Sequence, residues 1–143
     1  MDERYPIGET GTTVVAVLRH ERQEAGYPRW TAAIGLRGGE ATLSVPGHYA
    51  AVLAERLRLA AERFTPGARL ARDEYLDLTA LARGDEETLA LSSTARSPAR
   101  ITIEVPRSEI DALAALLESA QELIETLRQG VGLVPDRLPD PLQ

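Results

Sequence analysis

Residues 41–64 read ATLSVPGHYAAVLAERLRLAAERF, and residues 101–124 read ITIEVPRSEIDALAALLESAQELI. Superposed at an offset of 60 residues, the two stretches agree at 8 of 24 positions: Thr42/Thr102, Val45/Val105, Pro46/Pro106, Leu53/Leu113, Ala54/Ala114, Leu57/Leu117, Ala60/Ala120 and Glu62/Glu122. A bias toward Ala and Leu accounts for some of these matches, but not for T-x-x-V-P at one spacing. Each copy is a short alternating strand, a proline with no N–H to donate, and then a long helix with one apolar stripe. The chain therefore reads as a duplicated strand-strand-strand-helix unit.

Working outward, residues 12–20 (TTVVAVLRH) are rich in β-branched side chains and read as a strand that is central or covered on both faces. Residues 21–28 hold a turn around Gly26, and residues 29–36 (RWTAAIGL) place Trp30, Ala32, Ile34 and Leu36 on one strand face. Gly38-Gly39 turns into the strand that precedes Pro46. In the second half, residues 75–82 place Leu76, Leu78, Ala80 and Ala82 on one face, and Gly84-Asp85 turns into residues 88–93. Ser108 is the expected cap of the second helix and Gly130 its expected end.

The fold class is thus α+β, two tandem antiparallel sheet-plus-helix (βββα) repeats forming a pseudo-two-fold intramolecular dimer. The expected boundaries are an N-terminal arm at 1–11, with Tyr5-Pro6-Ile7 available as a short edge strand, repeats at 12–67 and 68–129, and a Pro-rich tail at 130–143. The stripe on each helix fits packing on the other helix and packing on its own sheet equally well.

Composition narrows the chemistry. The 143 residues include no cysteine, which excludes disulfides, thiol catalysis and thiolate metal sites. All 16 basic residues are arginine, and the net charge of −6 argues against a grip on polyanions through global charge alone. The first ten residues are charged and lack an apolar core, and no apolar run reaches the roughly 18 residues of a membrane helix. A cytoplasmic protein without membrane contact is expected. His20 and His48 stand alone without ligand spacing, and no nucleophile elbow or phosphate loop is present, so neither a metal, a cofactor nor an enzymatic activity is expected.

The strand-end-then-acidic-helix pattern, EATLSVPGHYAAVLAERL and RITIEVPRSEIDALAALL, resembles the single-stranded nucleic-acid-binding superfamily of the positive-cofactor-four coactivators, the whirly proteins and the Pur-alpha repeats. The resemblance spans residues 12–127. It implies curved antiparallel sheets that bind single-stranded DNA or RNA through cations and stacking, in transcription or DNA repair, with helices that build a dimer. Such binding needs outward cations and flat side chains. Residues 12–46 are net +1, residues 69–105 net −2 and residues 107–129 net −3, so the first half is the better candidate. The candidate site is Arg19, Arg22, Tyr27, Arg29, Trp30, Arg37 and Tyr75. For Trp30 and the tyrosines, ordinary packing is the favoured alternative. The alternative function is a protein-interaction or chaperone-like module that engages a protein partner through a helix face or the tail, and the amphipathic helices also suit a homo-oligomer.

Overall fold

A computed structural model describes residues 2–94 and 100–133 of the chain. Two tandem sheet-plus-helix units are present, and each has one strand more than the sequence reading gave it. The first unit is β1 (Asp2–Glu9), β2 (Thr13–Glu24), β3 (Tyr27–Gly38), β4 (Ala41–Pro46) and α1 (Ala50–Glu62). The second is β5 (Arg69–Arg72), β6 (Leu76–Arg83), β7 (Glu86–Ser93), β8 (Thr102–Pro106) and α2 (Ile110–Leu133). Each set of four strands forms one antiparallel sheet in simple sequence order.

The expected arm is mostly β1. Tyr5-Pro6-Ile7 lies within it as the expected edge strand, and Pro6 is tolerated because β1 is at the sheet edge and the ladder slips at that point, between Pro6 and Gly8. The second sheet slips at the matching place, between Arg69 and Ala71 of its own edge strand. Both irregularities set a half-buried apolar residue, Ile7 or Leu70, against the core.

The turn expected at residues 21–28 is far shorter. β2 and β3 run on to a two-residue turn at Ala25 (φ 50°) and Gly26 (φ 83°), the pair of positive φ values that a hairpin with right-handed twist demands. Each strand of this hairpin has 12 residues, whereas β6 and β7 have 8 each. The first hairpin therefore projects four residues per strand beyond its counterpart.

Both helices are entered alike. Pro46 and Pro106, with ψ of 146° and 139°, each lead into a 3-10 turn, Gly47–Tyr49 or Arg107–Glu109, and no side chain caps either turn. Ser108 accordingly lies inside a turn instead of capping α2. Gly130 does not end α2, which continues to Leu133. The remaining tail, 134–143, lies outside the described residues.

The core alternates as expected: Val15, Val17, Ile34, Leu36, Leu43 and Val45 are buried in the first sheet, and Leu76, Leu78, Ala80, Leu89, Leu91, Ile103 and Val105 in the second. Ala82 was expected on that inward face, but it is exposed, opposite Glu87 near the tip of the second hairpin.

Of the two alternatives for the helix stripes, packing of helix on helix is the one found. α1 and α2 pack on each other through Leu53, Leu57, Leu113 and Leu117, all fully buried. They run in opposite directions, since Arg107 ahead of α2 lies over the ring of Phe64 just past α1 (5.1 Å). At their crossing the Arg58 guanidinium donates to Glu118 over 2.7 Å, and these two residues are equivalent by the 60-residue offset. Each helix also reaches the opposite unit: α2 lies across β1 and β2, and α1 meets β5. The units have exchanged helices within one chain.

Two polar clasps complete the exchange. In the first β1–β2 turn, Thr10 Oγ1 accepts from the backbone N–H groups of Thr12 (3.3 Å) and Thr13 (3.0 Å). Asp73 Oδ1 does the same for Tyr75 (2.8 Å) and Leu76 (2.9 Å) in the β5–β6 turn. Glu109, at the entry to α2, accepts from the N–H and hydroxyl of Thr12, both at 3.0 Å. Tyr49, its equivalent at the entry to α1, donates its hydroxyl to Asp73. Thus each helix start grips the first turn of the other unit.

Candidate nucleic-acid interface

Strand alternation sorts the side chains of the first sheet onto two faces. Val15, Val17, Ile34 and Leu36 define the inner face under α2, so the residues between them define the outer one. The outer face carries Arg4 opposite Leu18, Arg22 opposite Arg29, His20 opposite Thr31 and Arg37 opposite Val14 and Thr42. Arg4, Arg22, Arg29 and Arg37 are all exposed. Among the described side chains, Glu9 is the carboxylate that shares this face. Between the arginines runs a low seam of Val14, Ala16, Leu18, Ala33 and Gly35, where the Leu18 side chain lies over Gly35. Local sequence explains the arrangement: small residues keep the seam flat, and alternation throws the arginines outward along it.

Of the expected site residues, Arg22, Arg29 and Arg37 therefore share one exposed surface. Arg19 does not. Its register puts it on the inner face, where its side chain is 3% exposed and its Nη1 lies 2.6 Å from Glu3 Oε2. Its guanidinium also stands 5.5 Å from the centre of the Trp30 ring. A cation committed to an interior carboxylate and an indole face has no access to a phosphate. Trp30 is likewise an inner-face residue and half-buried, as the packing alternative held.

Tyr75 belongs to the other unit. Its hydroxyl lies 3.3 Å from His48 Nε2, and its ring is 4.8 Å from that of Tyr49. It is part of the clasp around Asp73, which Arg56 Nη1 also approaches to 3.2 Å. Burial and the hydrogen bond to Asp73 push the Tyr49 phenol well above its ordinary pKa, which keeps it a donor. Tyr27 opens β3 opposite Glu24, and its side chain lies outside the described residues.

Arg4 is the face residue that the sequence reading missed, because it lay in the presumed arm; the only available signal was its position two residues before the Pro6 interruption. The outer face of the second sheet is differently charged. Asp77 is 3% exposed and sits between Arg69 (3.2 Å) and Arg100 (3.0 Å), while Arg83 pairs with Glu104 at 2.6 Å. Its cations are thus largely matched within the sheet.

Among the described residues no group of three or more His, Asp or Glu side chains is placed to hold a metal, and no helix is long and apolar enough to cross a membrane. No protein-family model matches the chain, and no curated protein matches its sequence.

Proposed function

We propose that the protein is a non-enzymatic binder of single-stranded DNA or RNA, with the strand lying across the outer face of the first sheet. One observation carries this reading: Arg4, Arg22, Arg29 and Arg37 are exposed on a single face of a chain whose net charge is −6. An acidic protein gains nothing from global attraction to a polyanion, so a local row of cations is the arrangement such binding requires. The guanidiniums would meet phosphates, and the apolar seam of Val14 and Leu18 would take the bases. A duplex presents its phosphates on a stiff cylinder and keeps its bases stacked inside, which suits this flat seam poorly.

Fluorescence anisotropy with a labelled single-stranded oligonucleotide, beside the duplex of the same sequence, tests the reading. The single strand is expected to bind preferentially, with log affinity falling linearly in log salt at a slope of about −0.7 per neutralised phosphate. Arg4→Gln with Arg37→Gln should weaken binding and flatten that slope. Absence of binding at low salt removes the proposal.

A second reading has its own support. Val52 and Leu59, each 41% exposed, are the exposed large apolar side chains among the described residues, and they floor a cavity of about 350 Å³ between α1 and β5. An apolar cleft beside an edge strand suits an added strand from a protein partner. If Leu59→Glu abolishes capture of a partner and leaves oligonucleotide binding intact, the second reading stands on its own.

A further inference from the structure

The equivalence of the two helices shows one seam, between a helix and an edge strand, in two forms. In the first unit the seam is closed. A Cβ at Gly8 would stand 2.8 Å from Leu116 Cδ2, so Leu116 lies directly over the backbone of β1. Leu123, two turns further along α2, packs against the core in the same way. In the second unit the equivalent positions hold Arg56 and Arg63, and the seam is the open cleft of about 350 Å³ between α1 and β5. Its rim is inverted as well. The exposed Val52 and Leu59 occupy the positions of Ala112 and Ser119 in α2. Large aliphatic side chains thus meet solvent where the other unit has small ones, and cations stand where it has the leucines that close the seam. An apolar surface that the fold itself leaves uncovered marks a place of contact.

The edge strand beside the cleft differs in the same sense. Asp2, Glu3, Pro6 and Glu9 guard β1, since charges and proline discourage the addition of a further strand. β5 is also the last strand of its sheet, yet its residues, Arg69, Leu70, Ala71 and Arg72, include neither a proline nor a carboxylate. Arg69 pairs with Asp77, and Arg72 stands opposite Asp77 in the ladder, so both lie on the outer face. Leu70 lies on the inner face, in the cleft wall. Glu55 is the carboxylate of the lining, against Arg56, which is tied to Asp73, and Arg63. Among the described residues no ion pair engages Arg63 or Arg72. A second copy of β5 would set arginine against arginine, which opposes self-association through this edge.

We propose that the α1–β5 cleft takes an extended segment of a protein partner in which apolar and acidic side chains alternate. The proposal rests on the second reading above and gives its partner a chemistry. A strand laid on the free side of β5 turns successive side chains to opposite faces. Those turned inward meet Val52, Leu59 and Leu70, and those turned outward meet Arg69 and Arg72.

The test compares three short labelled peptides on the full chain by fluorescence anisotropy: valine alternating with glutamate, valine with lysine, and serine with glutamate. The valine–glutamate peptide is expected to bind about tenfold tighter than either of the others, and to slow amide hydrogen exchange in β5. Val52→Ala/Leu59→Ser places the residues of the first unit at two exposed positions and should remove the preference over serine–glutamate. Arg72→Gln should remove most of the preference over valine–lysine. An unchanged thermal transition shows that both variants fold. Equal binding of the two valine peptides overturns the acidic partner and leaves the docking of a strand standing. Equal binding of the two glutamate peptides, or unchanged exchange in β5, means attraction by charge alone and overturns the cleft as the site. Absence of binding by all three overturns both the proposal and the reading it rests on.

Discussion

At the scale of single residues, the most exact feature is a compromise at the hairpin tip. Ala25 takes φ 50°, a left-handed conformation that costs a residue with a Cβ about 1–2 kcal/mol. Glycine avoids that cost but loses more entropy on folding. Ala25→Gly is therefore expected to stabilise the protein by up to about 1 kcal/mol in urea denaturation, and a loss of stability would contradict the turn geometry. Arg19 teaches a different lesson. In the sequence, alternation sets it on the face of Val15 and Val17, opposite to Arg22, but both faces of that strand carry apolar side chains and neither declares itself the inner one. The packing of α2 over Val15 and Val17 makes that face the inner one, and the register supplies Glu3 as the partner. A buried guanidinium opposite a carboxylate arises from the pairing of two strands, and the sequence of one strand alone does not contain it.

At the scale of elements, the strands and helices with clear periodicity were legible: β2, β3, β4, β6, β7, β8 and both helices all lie where alternation or the three-four stripe puts them. Only the middle of β1, Tyr5-Pro6-Ile7, was legible as an edge strand, and β5 was not legible. Pro6 and Gly8 interrupt β1, and β5 has only the four residues of Arg69–Arg72. The rest of β1 and all of β5 follow from the sheet that needs an edge, not from their own composition. Three of the four arginines of the candidate face were therefore readable, Arg22, Arg29 and Arg37, while Arg4 was hidden. The clasps were also invisible, because Glu109 and Tyr49 share a position but no chemistry. Those clasps carry a pH dependence. Burial tends to raise Asp73, but hydrogen bonds from Tyr49, Leu76 and Tyr75 and the charge of Arg56 outweigh it and hold the carboxyl below its usual range. Glu109 is likewise lowered, as hydrogen bonds from Thr10, Thr12 and Gly11 overcome burial. A folded-state pKa below the unfolded value stabilises the fold above the unfolded carboxyl pKa of about 4, and the contribution disappears as pH falls through the lower folded value. Asp73→Asn/Glu109→Gln should be less stable than the parent at pH 7, with the gap closing as pH falls below the ordinary carboxylate range. Parallel stability curves across that range would show that the clasps contribute nothing.

At the scale of the whole molecule, helix exchange makes the two units interdependent. The inner face of the first sheet is closed by α2, and α1 is built into the contact with α2 and β5. Separate fragments 1–67 and 68–133 are expected to show little cooperative thermal unfolding by circular dichroism, and mixing them should restore a single sharp transition. Cooperative unfolding of either fragment alone would mean that the exchange is not needed for stability. The pseudo-symmetry itself was visible in the T-x-x-V-P pair, whereas the exchange was not, since a helix stripe does not state which sheet it will cover. The bond between Thr12 and Glu109 also spans 97 positions of sequence. During synthesis the first sheet leaves the ribosome well before the helix that covers it, at roughly 5–20 residues per second. For several seconds Val15, Val17, Ile34 and Leu36 belong to a nascent chain with an open apolar face. A ribosome that stalls between the two halves would release its product in that uncovered form, open to aggregation or to a helix from another chain.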